Sequence, residues 1–384
     1  MIQELRFQFL DSLDNIPASE WNALSTAGCP FLRHEFLNAL EQTGCVSGQT
    51  GWLPHHLLVF SKEQLVAALP LYVKHHSYGE YVFDFAWAEA YQRYGFQYYP
   101  KLLSAIPFTP VPGPRLLLAE GISADDLWPA LSQTLAQHCQ EHGFSSAHIL
   151  FPNAEQSRQL QEQNFIKRHS VQFHWLNRGY GDFDAFLNCF ASRKRKNLKK
   201  ERAKLTDYGI CCRRLTGTQI DETAMDFFVK CYQQTYLKRS GHRGYLSPAF
   251  FDQLRKVLVH QMMLVLAYKA EKPIAASLFF YDDHSLCGRY WGCVQEVDGL
   301  HFEACYYQGI EFCIERGLTL FNPGTQGEHK ILRGFEPTLC YSNHYIADPA
   351  FRHAIATYLQ QEAEQVLEYQ KDASRLLPFR ADLG

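Results

Sequence analysis

The sequence predicts an α+β fold of two tandem units, each a mixed, mainly antiparallel sheet flanked by helices. Three paired patterns predict it. Cys139-Gln140-Glu141-His142-Gly143 and Cys313-Ile314-Glu315-Arg316-Gly317 each close a helical pattern ahead of a β-rich stretch. Phe165 and Phe335 are each followed nine residues later by a histidine and an aromatic residue, His174-Trp175 and His344-Tyr345. Val66-Ala67-Ala68-Leu69-Pro70-Leu71 matches Ile274-Ala275-Ala276-Ser277-Leu278-Phe279 in pattern. The pairs keep the same order, at offsets of 174, 170 and 208 residues respectively, as expected of a duplication with extra chain in different places. The expected boundaries are 1–177 for the first unit and 178–384 for the second, which adds a basic helix and a C-terminal helix.

The bulk composition agrees. A chain of 384 residues has room for two ordinary domains, and 46% hydrophobic with 14% aromatic content fills two cores and excludes disorder. A net charge of -3 gives no general attraction to nucleic acid or anionic membrane, so any polyanion site has to be a local patch. The 12 cysteines include no C-x-x-C pair. The N-terminal stretch Met1 to Leu13 has no secretory pattern, and no run approaches the ~18 apolar residues of a spanning helix. The expectation is a cytoplasmic protein with reduced, mostly buried thiols.

Element by element, Pro17 to Leu24 and His34 to Gln42 read as short helices, the first with proline near its start. His55 to Phe60 and Leu65 to Val73 flank the polar Ser61-Lys62-Glu63 and read as a hairpin. Tyr81 to Phe85 reads as a third strand. Pro107, Pro110, Pro112 and Pro114 impose an extended path. Ser123 caps a helix with Asp125 and Asp126 in its first turn, and Gly143 stops it. A strand at Ser146 to Phe151, a helix at Glu155 to Gln163 and a strand at Phe165 to Leu176 complete the first half. The second half opens with one long helix from Asp182 to Asp207 and a strand at Ile210 to Leu215. Helices follow at 221–238 and 248–260. A three-strand meander covers Met263 to Tyr268, Ile274 to Tyr281 and Ser285 to Cys293. Then come a helix at Phe302 to Glu315, a strand at Leu318 to Phe321 and a terminal helix at 349–372. Helices gather around meanders rather than alternating with strands, hence α+β.

The order of meander, glycine-containing loop, helix, strand and Gly-Phe strand resembles the GNAT acyltransferase fold. Two such units in one chain resemble the FemAB-type transferases. Three strings are similar to those of the bacterial FemAB-like group of predicted N-acyltransferases: Pro30-Phe31-Leu32-Arg33-His34-Glu35-Phe36-Leu37, Tyr81 to Tyr91, and Tyr98-Tyr99-Pro100-Lys101-Leu102. The string Phe321-Asn322-Pro323-Gly324-Thr325-Gln326-Gly327-Glu328-His329-Lys330 fits the same group. The resemblance covers nearly the whole chain. It implies an N-acyltransferase of the peptidoglycan biosynthesis and recognition type, with acyl-CoA or aminoacyl-tRNA as co-substrate and no tightly bound cofactor; the alternatives are an aminoacyl-tRNA-dependent ligase acting on a peptidoglycan precursor and a non-catalytic protein that binds peptidoglycan or peptide. The partner it implies is a small-molecule or peptide amine acceptor, with tRNA in the second case and no DNA. The chain departs from the GNAT pyrophosphate pattern Gln/Arg-x-x-Gly-x-Gly/Ala at Arg289 to Leu300, where two glycines remain and two acids intrude. FemAB-type proteins resemble GNAT enzymes but use aminoacyl-tRNA.

Candidate site residues fall in three groups. Arg193 to Lys204 holds eight cations in twelve residues, where like charges repel by a few tenths of a kcal/mol per i,i+4 pair. A bound anion would relieve that repulsion, so Arg193, Lys194, Arg195, Lys196 and Lys199, with Arg289, are candidate ligands for donor phosphates. A solvated helix face accounts for the same run. The 322–330 loop offers Glu328 and His329 as bases and Lys330 for developing negative charge, and Tyr290 could return a proton to the leaving group. A surface loop and a packed tyrosine are the plain alternatives. Asp84, Trp87, Glu89, Tyr91 and Lys101 interleave acids, a cation and aromatics in a pattern suited to an amine acceptor, or to an aromatic cluster with bonded tips. Thr109 and Arg115 would stand at its rim. No metal site is expected: His138 and His142 share a helix face, but no acidic third ligand or H-E-x-x-H pattern accompanies them.

Overall fold

The computed structural model describes residues 5–24, 28–325 and 327–380. Gln326 of the 321–330 string and the first four residues of the N-terminal stretch lie outside them. The chain divides into two compact units, Met1–Val171 with Leu339–Tyr369, and Gln172–Thr338 with Gln370–Gly384. This differs from the contiguous division at 177/178. Each unit takes its last strand from the other half of the sequence. Ser342 to Ile346 pair with Leu150 to Ser146 in the first unit, and Trp175 and Leu176 pair with Phe321 and Leu320 in the second. Strand pairing across 140 residues or more is set by tertiary packing, which local pattern does not encode.

In the first unit one sheet joins Trp52–Pro54, Tyr72–Lys74, Lys101–Ser104, Ser146–Leu150 and the end of Glu336–Ile346. A smaller antiparallel sheet joins Leu5–Leu10, His56–Ser61, Gln64–Leu69 and Leu117–Leu118. Leu127, Leu131 and Leu135 of the helix Ala124–His142 pack with Leu57, Leu69, Leu102 and Ile149 in the core. In the second unit Ile210–Thr216, Met262–Lys269, Lys272–Tyr281 and Ser285–Cys293 run antiparallel. Leu320–Asn322 then pairs in parallel with Ser285 to Cys287. Among the described residues no helix is long and apolar enough to cross a membrane.

The repeated motifs do repeated work. Gly143 and Gly317 stop their helices in the left-handed conformation, at φ 69° and 68°, where a Cβ is strained. The next N–H, from Phe144 or Leu318, returns to the Cys139 or Cys313 carbonyl at 2.9 Å in both. The strands Ile166–Leu176 and Glu336–Ile346 are each 11 residues long and begin one residue after Phe165 and Phe335. In each, the histidine ring bonds the side chain two residues earlier, His174 to Gln172 at 3.2 Å and His344 to Ser342 at 2.9 Å.

Three elements differ from expectation. Leu65 to Val73 is not one strand: Gln64–Leu69 forms the hairpin with His56–Ser61, and after Pro70 the chain enters the other sheet as Tyr72–Lys74. Tyr81 to Phe85 is not a strand; Phe85–Arg93 is a helix with Phe83 and Phe85 exposed. The alternating aromatics have no strand to pair with, so their β pattern is not realised. The single helix over 182–207 is two, Phe183–Asn188 and Ser192–Asp207. At the break, the Ala191 N–H bonds the Pro378 carbonyl at 2.8 Å, so that donor is used outside the helix.

Candidate active site

In the second unit a pair of strands parts. The parallel ladder between Ser285–Cys293 and Leu320–Asn322 ends at the Cys287–Asn322 pair. The first strand runs on to Cys293 while its neighbour turns into a loop. A bulge on the other edge pairs Leu278 with Tyr290 and Phe279 with Gly288, leaving Arg289 as the extra residue. Bulges re-aim side chains and are common beside active sites. Gly292 is fixed by packing: a Cβ there would collide with the Cys231 carbonyl.

The loop after Asn322 is tied down at several points. Asn322 accepts from the Gly324 N–H at 2.9 Å and donates to Gln172 at 3.1 Å. Lys330 is buried, and its ammonium donates to the Gly324 carbonyl at 2.5 Å. Burial, helped by the charge of Arg289, pushes the Lys330 pKa down to about 7. His329 is exposed, with Nε2 at 2.8 Å from the Tyr306 hydroxyl and its ring against Phe302. Burial of part of the ring, then the charges of Arg333 and Lys330, lower its pKa, so it is neutral at pH 7 and able to accept a proton. Glu328 is exposed beside it. Tyr290 lies elsewhere: its ring is set among Phe228, Tyr232 and Phe251. The hydroxyl held beside His329 is that of Tyr306.

Tyr306 stands in a π turn, Glu303–Tyr307, between the helical pieces Leu300–Phe302 and Gln308–Arg316. Such turns recur at functional sites because the extra residue widens the helix. Glu303, within this turn, holds Arg202 at 2.7 Å. Arg202 also binds Glu311 at 2.6 Å. Arg333, lying over the Phe302 ring, donates to Glu201 at 2.6 Å and to the Tyr307 hydroxyl at 2.9 Å. The basic helix and the 322–333 loop are therefore linked through one ionic network.

The cations of Ser192–Asp207 divide into two sets. Lys199 pairs with Asp184 at 2.7 Å, Lys204 with Asp298 at 2.7 Å, and Arg195 bonds Asn188 at 3.1 Å. Arg193, Lys194, Lys196 and Lys200 are exposed and have no partner among the described residues. Leu198 and Leu205 are the buried contacts, whereas Ala203 is exposed. No acid sits in the first turn and no side chain caps it, so cations face the positive end of the helix dipole. The adjoining cavity of about 790 Å³ is lined by Asp182, Asp184, Glu303 and Glu311 as well as Lys199 and Arg202, and so has little net attraction for phosphate. The free cations lie outside that lining.

In the first unit, Asp84, Trp87, Tyr91 and Lys101 are buried. Lys101 donates to Asp84 at 2.5 Å, Glu80 at 2.9 Å and Ser77 at 2.8 Å. Lys74 is buried over the Trp52 ring, 4.0 Å from Glu80. Burial pushes Lys74 down and Glu80 up, each to about 7, while Asp84 is held at about 2 by Lys101 and His148 against the effect of burial. A hydrogen-bonded chain continues from Asp84 through Tyr98 at 2.6 Å, His148 at 3.2 Å and His344 at 2.7 Å. In front of this cluster lies a groove of about 470 Å³ lined by Ser77, Tyr78, Phe85, Glu89, Tyr98 and Tyr99 among others. Of the five expected acceptor residues, only Glu89 lines it. Arg115 is not at a rim: it is fully buried and bonds the Val111, Leu150 and Pro114 carbonyls at 2.5, 2.7 and 3.0 Å. Thr109 is buried too.

A family described as peptidoglycan biosynthesis/recognition, FemAB-like, matches residues 12–381. The chain belongs to the FemAB-like family. Among solved structures, FemX is similar with a TM-score of 0.53 at 11% identity, over 91% of this chain and 100% of its own. A conserved protein of unknown function from Bacteroides thetaiotaomicron VPI-5482 gives 0.53 at 10% identity, over 88% and 99%. A tandem GNAT protein from the clavulanic acid biosynthesis pathway gives 0.47 at 11% identity, over 90% and 99%. No curated protein matches the chain significantly. The fold is thus a mixed α+β arrangement in two units, shared with FemX.

Several residues of this FemAB-like chain escaped the sequence reading. From the π turn, which no periodicity announces, Tyr306 reaches His329, and Tyr307 reaches the directly paired Glu201 and Arg333. Glu80, Lys74, Ser77 and His148 assemble the buried cluster from separate elements. A lysine inside an apolar strand, Lys101 in Lys101–Ser104, was the one available signal, because a buried lysine requires a partner.

Proposed function

We propose that this FemAB-like protein is an N-acyltransferase that moves an acyl or aminoacyl group from a CoA thioester to an amine acceptor by direct attack. The observation that carries this reading is the parting of Ser285–Cys293 from Leu320–Asn322, with His329 and Lys330 on the loop that leaves the gap. Backbone N–H groups along a parted strand edge suit a thioester carbonyl and the oxyanion formed from it. The amine nitrogen adds to that carbonyl, its proton passes to His329, and the C–S bond breaks as the tetrahedral adduct collapses. Lys330 anchors the Gly324 turn and favours negative charge nearby. Arg193, Lys194 and Lys196 would hold donor phosphates, and the amine acceptor would be of peptidoglycan-precursor type in keeping with the family.

At six of the twelve thiols burial disfavours a thioester on the enzyme, in keeping with direct attack. The six thiols with displaced pKa values, those of Cys139, Cys212, Cys231, Cys293, Cys305 and Cys313, are all pushed up by burial, which makes them poor nucleophiles at pH 7. A second donor, aminoacyl-tRNA, is favoured by the loop before Leu300. It carries Glu296 and Asp298, paired with Lys238 and Lys204, where a pyrophosphate would need open N–H groups.

The test is amine-dependent release of free thiol from acyl-CoA. His329→Ala with Glu328→Gln is expected to lower kcat/KM about a hundredfold, ~2.7 kcal/mol of barrier. The acid limb of the pH profile, below the ordinary imidazole value of 6.5, disappears with His329. Undiminished activity in the double variant removes this loop from the chemistry.

A further inference from the structure

Three side chains with no part in the proposed transfer gather at the C-terminal end of the helix Ala124–His142, in the first unit, and a fourth, His55, reaches one of them. His138 and His142 stand one turn apart, and Glu141 comes round to join them. The donor atoms of these three lie within 4.8 Å of one another. His55, just ahead of His56–Ser61, brings its Nε2 to 2.9 Å from the His138 Nε2. The other ring nitrogen of His55, Nδ1, lies 3.0 Å from an Asp11 carboxylate oxygen. Phe9 stacks on both imidazoles, with centroids 4.7 Å from His55 and 3.8 Å from His138, so the two rings are held in a common orientation.

We propose that His55, His138, Glu141 and His142 bind a divalent transition-metal ion of the zinc class. Three imidazoles and one carboxylate form a borderline donor set suited to such an ion. Two nitrogens on one tetrahedral ion, each at 2.0–2.1 Å, stand about 3.3 Å apart. The observed 2.9 Å therefore has to open by only about 0.4 Å, a small adjustment of two rings. Asp11 supplies the outer partner: a carboxylate on Nδ1 fixes the tautomer in which Nε2 carries the lone pair. The helix end adds a partial negative charge of about half a unit, which favours a cation. Four protein ligands leave no open position, so the ion would be structural, joining the entry of one strand to the end of a helix. The helix spacing alone offered two histidines; His55 comes from 83 residues away and is invisible to local pattern.

The competing state is a plain N–H···N hydrogen bond between His55 and His138. The experiment uses the full chain, free of any polyhistidine tag and stripped with a chelator. It is titrated with Co(II), read by its ligand-field absorption, and with Zn(II), read by calorimetry and thermal unfolding. The expected result is one equivalent bound with a tetrahedral Co(II) spectrum and a raised Tm. Glu141 and His142 are exposed, so Glu141→Gln and His142→Ala keep the fold, and each is expected to weaken Zn(II) binding about tenfold or more. Asp11→Asn is expected to weaken it by about 10- to 100-fold while leaving all four ligands in place. Absence of a tetrahedral Co(II) spectrum, or Zn(II) affinity unchanged in both Glu141→Gln and His142→Ala, would overturn the proposal.

Discussion

Replacing Lys101 with methionine removes the cation at the centre of the buried cluster of the first unit. Lys101 is fully buried and donates to Asp84, Glu80 and Ser77 within 2.9 Å. Methionine fills similar volume, so cavity formation contributes little. What is lost is the charge that stabilises the Asp84 carboxylate in a site closed to water. Lys74 does not replace it, being 4.0 Å from the far oxygen of Glu80 and pushed down to about 7. Removing one partner of a buried ion pair costs about 3–5 kcal/mol. With a urea slope of about 3 kcal/mol/M, the unfolding midpoint should fall by about 1–1.7 M. Trp52 and Trp87 lie beside the cluster and report the transition by fluorescence. Adding Asp84→Asn should recover part of the loss, because the stranded charge is then absent. A Lys101→Met midpoint within about 0.3 M of wild type, or no coupling with Asp84→Asn, would refute the description of the cluster as a charge-paired core.

Further outcomes follow from the same geometry. The folded pKa of Glu80, about 7, lies above its ordinary 4.5, so its contribution to stability is complete below pH 4.5 and is lost as pH rises through about 7. Glu80→Gln should flatten that part of the stability curve, as measured by urea midpoints from pH 4 to 8. Asp84 has the opposite sign: its contribution is present above 3.8 and lost as pH falls through about 2, a loss absent in Asp84→Asn. Changing Arg193, Lys194 and Lys196 to glutamine should weaken donor binding about tenfold or more, with little change in thermal stability, since none has a partner among the described residues. If the donor is a tRNA, each cation removed should lower the slope of affinity against salt by about one.

The repeat was legible because its markers answer to local physics. Gly143 and Gly317 are needed wherever a helix turns left-handed at its end, and Phe165 and Phe335 open strands of equal length. The exchange of final strands was not legible, since Trp175 and Ser342 carry nothing in their neighbours that names a partner. The 81–91 segment misled for a related reason: alternating aromatics satisfy a strand pattern, yet here they dress a helix and a groove. At the candidate site, His329 and Lys330 stood out as chemistry-bearing residues near glycines. Their setting did not, because Tyr306, Arg333 and Glu201 come from three elements. The basic run was visible as a charge count, but only pairing distances separate the neutralised Lys199, Arg202 and Lys204 from the free Arg193, Lys194 and Lys196.

The most direct test is a single product assay. The full chain is incubated with an acyl-CoA, or with aminoacyl-tRNA, and a peptidoglycan-precursor peptide bearing a free amine, and the peptide is weighed by mass spectrometry. The peptide is predicted to gain one acyl or aminoacyl mass on that amine, at an initial rate far lower in His329→Ala than in wild type, with no acyl mass left on the protein. An unmodified peptide with both donors, or a stable acyl adduct on a cysteine, would contradict the account.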